Sequence, residues 1–136
     1  MNIAVIDDNI QFLETIYIFL TEYHKYTNVS TFTSVQEFMH SPENYSCDIV
    51  LMDIEMPEID GIKGCKKITW QNCRQNIIAL TYHHERMLLD ELIPAGFKGC
   101  VSKTQVFDEL EAAMNAVKKG HHYFPDYVRL KNENGS

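Results

Sequence analysis

The chain has 136 residues, of which 45% are hydrophobic and 23% are charged. This length corresponds to one domain, which can bury a core without disulfide bonds or a structural metal. Twelve lysine and arginine residues against nineteen acidic residues give a net charge of −7. Because proteins hold a nucleic-acid backbone mainly with basic side chains, this charge argues against nucleic-acid binding by this chain alone.

The sequence carries no feature of a secreted or membrane protein. Its first apolar run is short and meets the carboxylates of Asp7 and Asp8, unlike a signal peptide. No other apolar segment approaches the length of a membrane span. The four cysteines are scattered without a CxxC pair, which disfavours a zinc site. We therefore expect a cytoplasmic protein with reduced thiols and no membrane contact.

Short β-like runs alternate with longer helical runs along the chain. This alternation is typical of βα units around a parallel sheet. Runs of Val, Ile and Leu without polar alternation fit strands that are buried on both faces. The sequence therefore predicts an α/β fold with five strands, at residues 2–7, 28–32, 49–53, 76–81 and 99–102.

Helical periodicity fills the intervals between the predicted strands. The stretch from Ser34 to Glu37 has the pattern of a capping box and opens the second helix. Pro94 lies near the end of the fourth helix, where its ring crowds the preceding turn. The predicted helices cover residues 11–23, a segment after 34, 62–70, 85–92 and an apolar stripe over 106–117, with Tyr17, Trp70 and Phe107 as packing residues.

Polar side chains stand where the predicted strands end. Asp7 and Asp8 close the first strand, Asp53 the third and Thr81 the fourth, and Lys103 follows the fifth. In an open parallel sheet, ligands bind outside the carboxyl ends of the strands. We therefore expect these five side chains to converge on one edge, here called the rim.

The chemistry of the rim points to phosphoryl transfer. Clustered carboxylates repel one another, and a hard divalent cation with oxygen ligands, Mg²⁺ above all, relieves that repulsion. Lys103 can place a positive charge on a phosphoryl oxygen, and the Thr81 hydroxyl can donate a hydrogen bond to it. An aspartate at the rim would be the acceptor.

At these residues the sequence resembles the receiver domains of two-component response regulators. The resemblance is carried by VIDDN at 5–9, LMDIEMPEIDG at 51–61, LTY at 80–82 and GFKGCVSK at 96–103. It implies a flavodoxin-like (βα)5 fold, doubly wound, with strand order 2-1-3-4-5. It also implies a phosphoacceptor in a signalling switch rather than a conventional turnover enzyme.

The resemblance assigns a role to each rim residue. Asp53 would be the phosphoacceptor and Asp8 a direct Mg²⁺ ligand, with Asp7 bound through water. Asp53 itself and the backbone carbonyl of Glu55 would complete the protein's ligands. Thr81 and Lys103 would be the switch hydroxyl and the phosphoryl-binding lysine. The expected partners are a sensor histidine kinase, a phosphotransfer protein or a small acyl phosphate as donor, and a second copy on activation.

Two residues depart from the family pattern, and the C-terminal segment narrows the subgroup. Tyr82 stands where the family usually has a small residue, which predicts restricted access to Asp53. Cys100 replaces the Tyr or Phe that often reports activation. Thr104 and GHHYFPDYV at 120–128 resemble receivers that precede a LuxR-type helix-turn-helix domain. We expect a receiver over residues 1–122, a linker or tail over 123–136, and a transcriptional output outside this sequence.

Two other functions of different classes remain open. The first is an interaction module that keeps the fold and the acidic pocket but works without phosphorylation. The second is a small phosphatase that uses Asp7 as nucleophile, with Asn9 two residues on; it leaves Asp53, Thr81 and Lys103 without a role. Asp7 and Asp8 could also be an ordinary acidic pair at a helix N-terminus.

Overall fold

The computed structural model describes residues 1–56, 60–83 and 89–126. Five parallel strands form one sheet in the order β2-β1-β3-β4-β5, which confirms the expected fold. Four of the five strands have the predicted bounds, and β1 ends one residue earlier than predicted, at Ile6. The strands are β1 Asn2–Ile6, β2 Asn28–Phe32, β3 Ile49–Asp53, β4 Asn76–Thr81 and β5 Gly99–Ser102.

Helices cover both faces of the sheet. The first begins at Asn9, whose side chain accepts a hydrogen bond from the Phe12 amide, and it ends in a π-helical turn over Phe19–Tyr23. The predicted Ser34 N-cap is present, since its hydroxyl accepts from the Glu37 amide at 3.1 Å, but the Glu37 side chain accepts from the Thr33 amide and not from the Ser34 amide that a capping box requires. The helices are α1 Ile10–Ile18, α2 Val35–Met39, α3 Glu43–Ser46, α4 Gly61–Gln71, α5 Leu89–Ala95 and α6 Val106–Lys118, with a 3-10 turn at Lys103–Gln105.

Some helical expectations need correction. The short helix α3 was not predicted, because four residues are too few to show a periodicity. Pro94 lies inside α5, and residues 85–88 of the predicted fourth helix lie outside the described residues. Among the described residues, no helix has both the length and the apolar character needed to span a membrane.

The three aromatic residues expected to pack in the core do not lie there. Trp70 is 91% exposed, and Tyr17 and Phe107 are about half exposed. The Phe107 ring packs edge to face on the partly buried Phe19 ring, with centroids 4.8 Å apart. Helical spacing places each of these residues on one face of its own helix, but the neighbouring elements do not cover that part of the helix.

Two apolar layers, one on each face of the sheet, form the core. Alternate residues along each strand point to opposite faces, so Ile3 and Val5 pack in one layer while Ala4 and Ile6 pack in the other. The first layer lies under α1 and α6, and the second lies under α2, α4 and α5. This arrangement leaves the carboxyl ends of the strands as the polar edge of the domain.

The chain continues to contact the sheet after α6. Tyr123 pairs with Gly99 in a parallel bridge, and its carbonyl accepts a hydrogen bond from the Cys100 amide at 2.9 Å. The Tyr123 hydroxyl donates to Glu109 at 2.9 Å, and Phe124 packs against the core. The boundary at residue 122 stays a prediction, but these contacts attach the first residues beyond it to the β5 edge.

Candidate functional site

The sheet brings the predicted rim residues together. Asp7 directly follows β1, Asp53 and Thr81 end the central strands β3 and β4, and Lys103 directly follows β5. The strands are parallel and in register, so their carboxyl ends meet at one edge. Asp7, Asp53, Thr81 and Lys103 are all buried, whereas Asp8 is exposed. The convergence predicted from strand ends is therefore present in the structure.

Lys103 links two carboxylates at the centre of the rim. Its ammonium donates to Oδ2 of Asp7 at 2.5 Å and lies 3.6 Å from Oδ1 of Asp53. The side chains of all three residues are less than a tenth exposed. A buried charge requires such a partner, because removal from water is costly for an isolated ion. The pair also joins residues that are 96 positions apart in sequence.

The carboxylate of Asp53 lies in a crowded, negatively charged environment. Burial and then the nearby Asp7 charge raise the pKa of Asp53 to about 7, although Lys103 and the backbone amide of Glu55 oppose the change. That amide donates to Oδ1 of Asp53 at 3.2 Å. Gly61 lies against the same backbone, since a Cβ there would stand 2.4 Å from the Asp53 carbonyl oxygen. The Glu55 amide therefore holds the Asp53 carboxylate in place beside the Lys103 ammonium.

Three carboxylates form a possible cation site. Asp7, Asp8 and Asp53 each offer an oxygen, and these oxygens lie within 4.8 Å of one another. Hard divalent cations prefer such oxygen donors. After burial, the nearby Asp7 charge is the second cause of the raised pKa of Asp53, so the two carboxylates repel each other. The donor set therefore fits Mg²⁺. The role expected for the Glu55 carbonyl stays a prediction.

The Thr81 hydroxyl has a partner that the sequence analysis missed. It donates to Oε1 of Glu55 at 2.5 Å and accepts from the His83 amide at 3.0 Å. Sequence reasoning selected Glu55 for its backbone carbonyl and not for its side chain. No sequence signal indicates this contact, because it joins positions 26 residues apart across two loops.

Aromatic rings flank the buried lysine. The Lys103 ammonium lies 4.3 Å from the centroid of the Phe12 ring and 5.1 Å from that of Tyr82. These two rings meet edge to face, with centroids 6.4 Å apart. Such contacts stabilise an ammonium by about 0.5–2 kcal/mol, more when it is desolvated. Phe12 is therefore a second residue of the site, after the Glu55 side chain, that the sequence analysis did not identify. The sequence analysis treated it only as part of a helix.

The two departures from the family pattern occupy different environments. Tyr82 is 53% exposed and stands beside Lys103, as a residue that restricts access would. Cys100 is fully buried in the core, and burial raises the pKa of its thiol to about 12. Its backbone amide donates to the Tyr123 carbonyl of the C-terminal segment. Their roles in access and readout stay predictions.

Comparison with known proteins assigns the chain to a family with this fold. Residues 3–115 match the family described as response regulator receiver domain. This chain belongs to that family. It is 24% identical over 142 aligned residues to the transcriptional regulatory protein DegU of Brevibacillus brevis, covering 98% of this chain and 60% of that protein. It is 37% identical over 76 residues to the response regulator UvrY of Escherichia coli K12, covering 56% of this chain and 35% of UvrY.

Solved structures agree with this assignment. The RcsB response regulator of Salmonella typhimurium superposes with a TM-score of 0.82 at 26% identity, over 94% of this receiver and 66% of that chain. The isolated RcsB receiver determined with the phosphomimetic BeF3⁻ gives a TM-score of 0.80 at 24% identity, over 94% of this chain and 95% of that one, which shows the shared fold. A two-component response regulator of the LuxR family from Aurantimonas also matches, with a TM-score of 0.80 at 24% identity, over 90% of this chain and 87% of that chain. This receiver spans about one third to two thirds of its longer relatives.

Proposed function

We propose that this receiver is a phosphorylation-dependent switch that accepts a phosphoryl group on Asp53. The observation that carries the proposal is the position of the Asp53 carboxylate, at the end of a central strand and 3.6 Å from a buried ammonium. A carboxylate can act as a nucleophile toward phosphorus, and nearby positive charge stabilises the phosphoryl oxygens. The donor is a phosphohistidine on a sensor kinase or phosphotransfer protein, or a small acyl phosphate.

Each rim residue has a separate task in this reaction. A carboxylate oxygen of Asp53 forms the bond to phosphorus, while the bond from phosphorus to the donor's nitrogen or oxygen breaks and the donor keeps the electron pair. Lys103 moves part of its interaction from Asp7 to a phosphoryl oxygen. Thr81 exchanges its bond with Glu55 for a bond to the phosphoryl group, which shifts the end of β4 and gives the switch its second state.

The metal has a defined place in this proposal. Asp8, Asp53 and the Glu55 carbonyl would hold Mg²⁺ directly, and Asp7 would hold it through water. When bound, Mg²⁺ supplies positive charge that offsets the three carboxylates and the incoming phosphoryl group. The Asp8 side chain is exposed, unlike Asp7 and Asp53, so it would be the solvent-facing ligand of the cation. Asp8→Asn is expected to weaken Mg²⁺ binding.

Asp7 is a poor candidate for the nucleophile of a phosphatase. Its Oδ2 accepts from Lys103 at 2.5 Å, and its Oδ1 accepts from the Asn9 amide at 2.8 Å. A carboxylate with both oxygens engaged loses nucleophilicity, because each hydrogen bond withdraws electron density. Asp53 is the better candidate, because its contacts with the Glu55 amide and the Lys103 ammonium both involve Oδ1. The phosphatase alternative is correspondingly weaker.

The names of the relatives support a transcriptional output for this switch. DegU is named a transcriptional regulatory protein, and one of the RcsB structures is described as two dimers bound to two parallel DNAs. Because this chain covers only part of such proteins, we propose that it controls a transcriptional output domain beyond this sequence, in the cytoplasm, and dimerises when activated. Nucleic-acid contact would belong to that output domain.

The decisive experiment is phosphorylation followed by mapping. The protein is incubated with Mg²⁺ and acetyl phosphate, and the modified aspartate is located by intact mass and peptide analysis, with Asp53→Asn as control. Modification at Asp53, lost in the control, supports the proposal. Modification at Asp7 would establish the phosphatase chemistry, and no modification with acetyl phosphate or a histidine-phosphorylated donor would favour the interaction module.

A further inference from the structure

A groove on the side of the domain has no part in the proposed switch. It runs between α2 and α4 and has a volume of about 690 Å³. None of its lining residues belongs to the rim. Its lining combines apolar, aromatic and basic side chains: Val35, Met39, His40, Lys66, Lys67 and Trp70 are among them.

Trp70 is the dominant feature of this groove. Trp70 is 91% exposed, and its indole makes no ring contact or hydrogen bond with the described residues. Tryptophan is the residue most enriched at interface hot spots, because burying its ring removes a large apolar area from water. The exposed indole and the partly buried Met39 give this groove its apolar surface, whereas Val35 is buried at 2% exposure.

The groove is also locally basic in an acidic protein. Helix α4 holds three lysines and no acidic residue, whereas the whole chain has a net charge of −7. Within the described part of the chain, Lys66 and Lys67 form no ion pair. Asp60, just before α4, accepts from the Lys63 amide, and Glu37 of α2 accepts from the Thr33 amide, so neither carboxylate is paired with Lys66 or Lys67. The lysine charges are therefore unmatched.

The groove is formed before any partner binds. The buried Asn44 side chain donates to the Met39 carbonyl at 3.3 Å and to the Gln71 side chain at 3.2 Å, so it connects α2 to α4. At the base, a Cβ on Gly64 would stand 2.6 Å from Val35, so glycine allows the two helices to approach closely. Little ordering cost is left for the partner to meet on this side.

We propose that this groove binds an acidic amphipathic helix of a partner protein, with an apolar side chain against Trp70 and carboxylates on Lys66 and Lys67. A helix that binds in a groove buries one apolar face and can pair charges beside it, which fits the exposed Trp70 and the two lysines of this groove. The net charge of −7 disfavours a polyanionic nucleic acid at long range, whereas a short acidic helix carries few charges and an apolar face. The proposal does not rest on phosphorylation of Asp53, because none of the lining residues belongs to the rim.

The test uses Trp70 as its own reporter, since it is the single tryptophan of the chain. The probe is a synthetic helical peptide of about 15 residues with Leu on one face and Glu on the other. A second peptide has Lys in place of every Glu. We expect the acidic peptide to shift the Trp70 emission to shorter wavelength with a micromolar Kd that weakens with salt, and the basic peptide to have no effect.

Variants locate the contact. With fluorescein-labelled peptide, Lys66→Glu/Lys67→Glu and Trp70→Ala are each expected to raise Kd by about tenfold or more. The matched control is Lys118→Glu/Lys119→Glu, which reverses another exposed lysine pair at the end of α6 and should leave Kd unchanged. Circular dichroism confirms that each variant is folded.

Three results would overturn the proposal. The first is an unchanged Trp70 spectrum with acidic peptide at about 1 mM, where even weak specific binding is visible. The second is equal weakening by the two lysine-pair reversals, which would mean general charge attraction. The third is displacement of the peptide by an oligo-dT strand of similar length, which would assign the groove to nucleic acid.

Discussion

The raised pKa of Asp53 makes the metal-free domain sensitive to pH in a specific direction. In the unfolded chain this carboxyl loses its proton near its ordinary pKa of 3.8, whereas in the folded domain it keeps the proton up to about 7. Between these values the folded state binds more protons than the unfolded state. The free energy of unfolding therefore falls as pH rises from about 4 to about 7 because of this group.

The size of the effect follows from the two pKa values. Since each pH unit between them is worth about 1.4 kcal/mol, the upper limit is about 4 kcal/mol. Asp53 lies at the rim beside the exposed Asp8, where solvent screens part of its charge. We therefore expect an effect of about 2 kcal/mol on the free energy of unfolding. Asp53→Asn keeps the shape of the side chain and its acceptor for the Glu55 amide, but it removes the charge.

The assay compares thermal melts of the parent and Asp53→Asn in EDTA at pH 5 and pH 8. At pH 8 the variant should be more stable by about 2 kcal/mol, or roughly 6–10 °C in Tm for a domain of this size. At pH 5 the difference should shrink. Glu14→Gln, the same chemical change at an exposed position of α1, serves as control and should show no such pH dependence. A difference that is the same at both pH values, or a less stable variant at pH 8, would refute the reasoning.

Three further substitutions test the rim. Lys103→Ala should slow phosphorylation at least tenfold and lower stability at pH 8 by about 3 kcal/mol, because it leaves buried carboxylates without a cation; intact mass and urea denaturation measure the two effects. Tyr82→Ala should speed both phosphorylation by acetyl phosphate and loss of the phosphoryl group a few fold, about 1 kcal/mol of barrier, in timed mass spectrometry. Gly61→Ala should cost about 2–3 kcal/mol in urea denaturation, because its Cβ would stand 2.4 Å from the Asp53 carbonyl oxygen.

Two of these substitutions have a control variant, and each of the three has a result that would contradict it. Tyr82→Phe keeps the ring, so its rates should match the parent; rates for Tyr82→Ala equal to the parent would remove the access role. Gly120→Ala meets no atom within 4 Å but has a φ of +89°, so only backbone strain of about 1 kcal/mol is expected. A Gly61→Ala variant as stable as the parent would contradict the close contact. Lys103→Ala with parental phosphorylation would remove this lysine from the reaction.

The sequence by itself determined the order of the elements and the position of the site. Continuous apolar runs mark strands buried on both faces, which holds for β3 and β4 but not for β2 (NVSTF), whose polar residues are partly exposed. Parallel strands end at one edge, and the polar residues at those ends therefore had to converge. Asp7, Asp53, Thr81 and Lys103 could be grouped without any distance, because their grouping is a property of the topology.

Only the tertiary structure decided how these groups pair and which faces are covered. The bonds from Lys103 to Asp7 and from Thr81 to Glu55 join residues far apart in sequence, and side-chain pairing at that separation leaves no periodic signal. Trp70 shows the same limit at the surface. Helical spacing says which residues share a face, but whether another element buries that face depends on how α2 and α4 pack, and here they leave the indole in solvent.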